Sequence, residues 1–173
     1  KELSRNFGGL QAVQNVDFAL PEGEIRAIIG PNGAGKTTFV GMISGRIPPT
    51  HGSISFKGRD ITRRKAWDRV MDGIVYTFQI TSVFPNLSCY ENIALAAQRR
   101  LLTGIAGRLT LGEETIAERV IEALDRVGLT AAREQEAGNL PYGHQRLLEI
   151  AMGLALEPEL LILDEPTNHL DMG

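Results

Sequence analysis

The residues whose types and spacing are best suited to chemistry lie at 30–37, where the sequence reads GPNGAGKT. In this pattern, G-x-x-x-x-G-K-[ST], the glycines let the backbone curl until successive N–H groups point inward at phosphate oxygens. A helix that follows the loop adds the partial positive charge of its N-terminus. Lys36 can then reach the β- and γ-phosphates of a nucleotide, and the Thr37 hydroxyl is placed to ligate Mg²⁺. The alternative is a glycine-rich turn before an ordinary helix.

A second group of chemical residues follows the apolar run at 160–163, in the segment LLILDEP. Asp164 and Glu165 then stand at the carboxyl end of a predicted strand, where ligand sites form in open α/β sheets. Asp164 would hold Mg²⁺ through its water shell, and Glu165 would orient the attacking water. Phosphoryl transfer requires mainly such positioning and charge neutralisation. Without the phosphate loop, the same pair would more simply be a solvated strand end.

The elements that must position these groups can be read from periodicity and turn residues. Strands are predicted at 13–20 and 24–29 with a turn at 21–23, and a helix from Lys36 to about Gly45. A small hairpin is expected around Gly58. Further along, the pattern predicts a short helix at 66–72, a strand at 73–78, a loop at 101–111, helices at 113–127 and 144–156, and a strand at 160–163.

Length and composition exclude several classes of protein. The 173 residues suffice for one domain with a hydrophobic core, and a net charge of −3 gives no sign of a basic face for nucleic acid. No run is long and apolar enough for a bilayer span, and the N-terminus has no signal-peptide core. The single cysteine, Cys89, excludes an intrachain disulfide and is expected to be packed in the core.

The chain resembles the ABC ATPases over nearly its whole length. GPNGAGKT resembles their Walker A segment, LLILDEP their Walker B segment, and LPYGHQR at 140–146 their signature segment. The resemblance implies an α/β P-loop NTPase core of ABC type, with a small antiparallel β-subdomain and a helical subdomain at about 87–150. It also implies one ABC ATPase domain over 1–173 that is incomplete at both ends, with a switch histidine and two strands beyond Gly173.

The resemblance further implies roles for individual residues. Phe7 would stack on adenine, and Gln79 would sense the γ-phosphate and Mg²⁺; each could otherwise be an ordinary core or strand-end residue. Residues 168–171 match the D-loop. The implied catalytic residues are Glu165, Lys36 and Gln79, and the implied metal ligands are Thr37, Gln79 and Asp164. The implied nucleotide-binding residues are Phe7, Asn32, Gly33, Ala34, Gly35, Lys36, Thr37, Thr38, Tyr142, Gly143 and His144.

Within this family the segments FGGLQAV, TFQITSVFPNLSCYENI and LPYGHQRLLEIA are most similar to the ATPases of branched-chain amino acid importers. That likeness implies a cytoplasmic ATPase bound to the inner face of the membrane through permease subunits, paired with a second copy or a paralogous subunit. ATP and Mg²⁺ are the implied cofactors. Two other interpretations stay open: a soluble ABC ATPase of translation or DNA repair, and a nucleotide-binding regulatory module with little turnover.

One residue departs from the family pattern. Pro141 stands where the signature segment has serine, so neither a hydroxyl nor an N–H is available there for a partner's γ-phosphate. Proline is well tolerated in the first turn of a helix, so the fold is expected to be unaffected. The departure concerns the strength of ATP-driven closure between two copies.

Overall fold

The computed structural model describes residues 1–77, 82–101 and 113–164. The chain divides into two compact units, Lys1–Asp72 and Gly73–Gly173. Both units combine helices and strands, as the predicted α/β class requires. The elements in chain order are β1 Leu3–Phe7, β2 Leu10–Val16, α1 Lys36–Ile43, β3 Ser55–Phe56, β4 Arg59–Asp60, α2 Ala66–Met71, β5 Ile74–Thr77, α3 Cys89–Leu101, α4 Glu113–Arg126, α5 Tyr142–Leu154 and β6 Leu160–Leu163.

The first unit opens with an antiparallel hairpin of β1 and β2. Leu3 pairs with Val16 and Phe7 pairs with Leu10, and the two strands are joined by a tight turn at Gly8, whose φ is 58°. Leu3 and Val13 are buried and fix the inner face of the hairpin. The predicted strand at 13–20 therefore starts and ends earlier than expected, at Leu10 and Val16.

Helix α1 begins at Lys36 as predicted and ends at Ile43. Phe39 and Met42 are buried and attach the helix to its unit, and the Phe39 ring meets Phe18 edge-on at 5.4 Å between centroids. Gly45, with φ 81°, follows the last turn and donates its N–H to the carbonyl of Met42. A glycine in the left-handed region is a common stop for a helix.

The predicted strand at 24–29 is wrong for this structure, because no strand is formed there. Ile25 and Ile29 are 102% and 92% exposed. Their apolar, β-branched pattern correctly indicates a strand propensity, but a strand needs a neighbour that supplies its ladder of hydrogen bonds. No residue in the described ranges pairs with this segment.

The buried guanidinium of Arg69 connects α2 to the end of α1. Arg69 lies on α2, is 1% exposed, and donates to the carbonyls of Met42 and Ile43 at 2.7 Å each. It also donates to the carbonyls of Thr62 and Arg64 at 3.0 Å. Because the last carbonyls of a helix lack intrahelical partners, this side chain acts as a C-terminal cap for α1. The β3–β4 hairpin and the short helix at 66–72 are confirmed.

In the residues that the structure describes, the second unit contains a parallel pair of strands and three α-helices. β5 and β6 run in the same direction, with Tyr76 opposite Ile162 and Thr77 opposite Leu163. α4 ends before Gly128, whose φ is 72°, as predicted. The bounds of the helical subdomain at 87–150 stay a prediction. Apolar residues of the three helices and the following turns share one core: Cys89, Ile93, Ala94, Ala97, Val120, Ala123, Leu124, Leu129, Ala137, Leu140, Leu148, Ala151 and Ala155.

Cys89 is fully buried in this core, which confirms its prediction as a packed thiol. Burial raises the pKa of the Cys89 thiol, so the group stays protonated and unreactive. The predicted loop at 101–111 lies outside the described residues apart from Leu101, which is the last residue of α3. Within the described ranges, no helix combines the length and the apolar character that a bilayer crossing needs.

Candidate functional site

The loop at 30–37 is shaped by two glycines in the left-handed region. Gly33 and Gly35 have φ values of 81° and 82°, which residues with a side chain rarely adopt. The N–H of Ala34 donates to the carbonyl of Pro31 at 3.2 Å and closes the turn. Gly35 serves as the N-cap of α1, so the loop leads directly into the helix.

The first turn of α1 keeps its amides available. Within the described ranges, the N–H groups of Lys36, Thr37 and Thr38 have no backbone or side-chain acceptor. The ammonium of Lys36 folds back over the loop and donates to the carbonyls of Gly30 and Pro31 at 2.7 and 2.9 Å. Free helix amides beside a lysine ammonium are suited to bind a polyanion such as a triphosphate.

The loop is seated against the hairpin through Gly35. A Cβ atom added to Gly35 would lie 2.2 Å from the carbonyl oxygen of Ala12 and 3.2 Å from a methyl group of Val13, both on β2. Only glycine allows this approach. β2 therefore positions the phosphate loop on one side and is paired with β1, which carries Phe7, on the other.

Phe7 is the last residue of β1 and is 44% exposed beside the turn of the hairpin. The guanidinium carbon of Arg5 lies 4.5 Å from the centre of the Phe7 ring. The predicted adenine-stacking residue and the phosphate loop thus belong to the same unit and share β2 as a support.

Asp164 follows the end of β6, as predicted, and is 7% exposed. The hydroxyl of Tyr76 on β5 donates to Oδ2 of Asp164 at 2.6 Å. Oδ1 has no hydrogen-bond donor among the residues that the structure describes. Hard cations such as Mg²⁺ prefer oxygen ligands, so an oriented carboxylate with one free oxygen fits such an ion or its water shell.

Several predicted site residues lie outside the described residues. Gln79 follows β5 by two positions, Glu165 follows Asp164 directly, and residues 168–171 form the predicted D-loop. β5 and β6 are parallel, so the chain leaves both strands at the same edge of the sheet.

The segment at 140–146 forms the start of α5. Pro141 is the N-cap residue, and Tyr142, Gly143 and His144 form the first turn. The predicted helix at 144–156 thus begins two residues earlier, at Tyr142. Tyr142 and His144 are exposed, so this end of the helix is accessible to a ligand or a partner. The side-chain amide of Gln145 donates to the carbonyl of Leu140 at 3.0 Å and closes the turn before the helix.

Arg146 connects this helix to Asp164. It is buried, pairs with the carboxylate of Glu149 one turn later, and donates through Nη2 to the backbone carbonyl of Asp164 at 2.7 Å. A buried charge is costly unless it is paired, which explains why Glu149 is buried beside it. Sequence reasoning missed this role, although the i,i+3 spacing of opposite charges on an apolar helix was a readable signal.

The sequence matches the ABC transporter family over residues 13–168. The branched-chain amino acid transport ATP-binding protein LivG of Salmonella typhimurium is 38% identical, over 98% of this chain and 69% of the relative. The probable branched-chain amino acid transport ATP-binding protein LivG of Archaeoglobus fulgidus is 36% identical, over 96% of this chain and 66% of the relative.

Solved structures give the same result. The ATP-binding cassette MJ1267 of an ABC transporter has a TM-score of 0.83 at 26% identity, covering 98% of this chain and 68% of its own. The protein cbiO1 from Clostridium perfringens, part of the ABC transporter complex cbiONQ, has a TM-score of 0.83 at 31% identity. The match covers 99% of this chain and 66% of cbiO1. Together with the phosphate loop, these likenesses show that the chain belongs to the ABC transporter family, of which it is an ATP-binding ATPase cassette.

Proposed function

We propose that this cassette binds and hydrolyses Mg·ATP to power an importer of branched-chain or other small amino acids. The observation that carries the proposal is the phosphate loop, with its positive-φ glycines, its free first-turn amides and Lys36 beside them. The substrate class is supported by the relatives, which are named as branched-chain amino acid transport ATP-binding proteins.

The first unit supplies the residues that bind the nucleotide. The backbone from Asn32 to Thr38 surrounds the β- and γ-phosphates, and Lys36 exchanges its two loop carbonyls for phosphate oxygens. The Thr37 hydroxyl is a ligand for Mg²⁺. Phe7 offers its exposed ring to the adenine base, since an aromatic ring stacks on any base without needing a hydrogen bond.

Residues at the carboxyl ends of β5 and β6 are assigned the remaining chemical roles. Asp164 holds Mg²⁺ or its water shell, Gln79 contacts the γ-phosphate and the metal, and Glu165 orients the attacking water. Bound Mg²⁺ supplies neutralisation of the charge on the phosphate oxygens. Tyr76 and Arg146 fix the carboxylate and the backbone of Asp164 respectively.

A second copy, or a paralogous subunit, completes the site. The first turn of α5 comprises Tyr142, Gly143 and His144. These three residues would contact the nucleotide held by the other cassette. The cassette MJ0796, whose structure is described as a dimeric post-hydrolysis state bound to ADP and Pi, has a TM-score of 0.83 and 26% identity to this chain. Permease subunits attach the pair to the inner face of the cell membrane.

Uptake measurements test this function. Deleting the gene should abolish high-affinity uptake of radiolabelled leucine, isoleucine and valine, and the wild-type gene should restore it. The Lys36→Ala gene should not restore uptake, whereas Arg59→Ala, which removes an exposed cation of β4, should. Unchanged uptake of all three amino acids in the deletion strain would show that the substrate class is wrong.

Removing the Tyr76 hydroxyl tests the metal site. In Tyr76→Phe, Oδ2 of Asp164 loses a hydrogen bond to a charged acceptor, which is worth about 1.5–3 kcal/mol. Because the carboxylate is then less well oriented, we expect Mn²⁺ to bind the ATP complex roughly 10-fold more weakly, while metal-free ATP affinity is unchanged. Electron paramagnetic resonance of free Mn²⁺ measures the affinity of the ion for the ATP complex. Tyr90→Phe is the control variant, because it also removes a tyrosine hydroxyl from the same unit. Unchanged or tighter Mn²⁺ binding would contradict the role of Tyr76.

A further inference from the structure

The side chains of Arg5 and Phe7 contact each other on β1. The pairing of β1 with β2 changes register between Arg5 and Asn6, so the contact is established by its distance rather than by strand alternation. The guanidinium carbon lies 4.5 Å from the ring centre, within the range of a cation–π contact. The guanidinium lies over one face of the ring, and Phe7 as a whole is 44% exposed to solvent.

The guanidinium is held in place by more than the ring. Nη1 of Arg5 donates to the carbonyl of Pro48 at 2.9 Å, in the loop that follows α1. Its Nε is buried and has no hydrogen-bond partner among the described residues. Among the described residues, the Phe7 ring and the Pro48 carbonyl are therefore the two groups that hold the guanidinium.

The pair is also tied to the phosphate loop. Arg5 is the register partner of Val13 on β2, and Val13 is one of the two residues against which Gly35 packs. The position of the Phe7 ring relative to the loop is therefore set by one strand pair and by the bond from Arg5 to Pro48.

We propose that Arg5 is a positioning residue for the nucleotide base: its guanidinium fixes the Phe7 ring from behind and leaves the outer face for adenine. This inference rests on the proposed adenine contact of Phe7. A purine then stacks on a ring that is already immobilised and polarised by a cation, so less ordering is needed on binding. An exposed cation–π contact changes an equilibrium constant roughly 2- to 5-fold, and base stacking on an aromatic ring changes it roughly 5- to 150-fold.

Calorimetric titrations of the full chain with ATP, GTP and inorganic tripolyphosphate test the proposal. We expect Arg5→Ala to bind ATP and GTP roughly 2- to 5-fold more weakly and tripolyphosphate as before, because stacking involves the base alone. Arg5→Gln, which can still donate to Pro48, should show the same loss and guards against misfolding of the alanine variant. Arg59→Ala is the control, since it removes an equal charge from an exposed position of the same unit, on β4.

The double variant Phe7→Ala with Arg5→Gln separates the two claims. In the Phe7→Ala background, Arg5→Gln should cause no further loss of ATP affinity. A further loss there, an equal loss for tripolyphosphate, or no loss in the wild-type background would each overturn the role of Arg5. If Phe7→Ala alone leaves ATP affinity unchanged, the adenine contact itself is wrong.

Discussion

Lys36→Ala is expected to remove most of the affinity for ATP while the protein stays folded. The ammonium is the cation of the loop, and a hydrogen bond between charged groups is worth about 1.5–3 kcal/mol, or roughly 10- to 150-fold in affinity. Contacts to both the β- and γ-phosphates would bring the loss to the upper end of that range or beyond. The fold should persist because the two acceptors of Lys36, the carbonyls of Gly30 and Pro31, lie on an exposed loop.

Isothermal titration calorimetry with ATP measures the loss, and a thermal melt without nucleotide checks the fold. Arg59→Ala, an equal change of net charge on β4, should bind ATP like the parent protein. An unchanged dissociation constant for Lys36→Ala would remove Lys36 from the phosphate site.

Glu165→Gln is expected to retain ATP binding and lose turnover by roughly 10²–10⁴-fold, the usual contribution of a general base. The amide has nearly the same shape as the carboxylate but cannot orient and polarise water as a base. Glu165 directly follows Asp164, which is fixed by Tyr76 and Arg146 at the end of β6. Binding should survive because the phosphate contacts come from the first unit. An ATP-bound dimer should accumulate, because the hydrolysis that would let the two copies dissociate no longer takes place.

A phosphate-release assay measures turnover, and size-exclusion chromatography with and without ATP measures the dimer. The matched control is Glu134→Gln, which neutralises a surface carboxylate of the second unit that pairs with Arg133. Hydrolysis by Glu165→Gln at the parent rate would show that another group orients the water.

The parts of the site that the sequence predicted correctly are the ones built from neighbouring residues. The loop at 30–37, the helix that begins at Lys36 and the strand that ends before Asp164 each follow from a local pattern of glycine, apolar and charged residues. The strand predicted at 24–29 fails because pairing is not a local property. Propensity indicates that Ile25 and Ile29 can be in a strand, and the neighbour decides whether they are.

The contacts of Tyr76 and Arg146 with Asp164 could not be predicted, because these partners are distant in sequence. Tyr76 bonds to a carboxylate 88 residues away, and Arg146 to a carbonyl 18 residues away. Arginine and tyrosine at these positions look like ordinary surface or strand residues until the fold brings the partners together. Gln79 and Glu165 lie outside the described residues, and their roles stay predictions.

The cap that Arg69 places on α1 has a consequence for the order of folding. α1 has eight residues, and isolated helices shorter than about 12–15 residues are marginal in water. The carbonyls of Met42 and Ile43 also accept bonds from a side chain 27 and 26 residues later, and these two bonds form only after the chain has closed that loop. A nucleotide at the opposite end of α1 would bind the closed form and not the open one. The nucleotide and Arg69 would thus stabilise the same helix from its two ends. A higher nucleotide concentration would shift the folding equilibrium of the first unit toward the folded state by mass action.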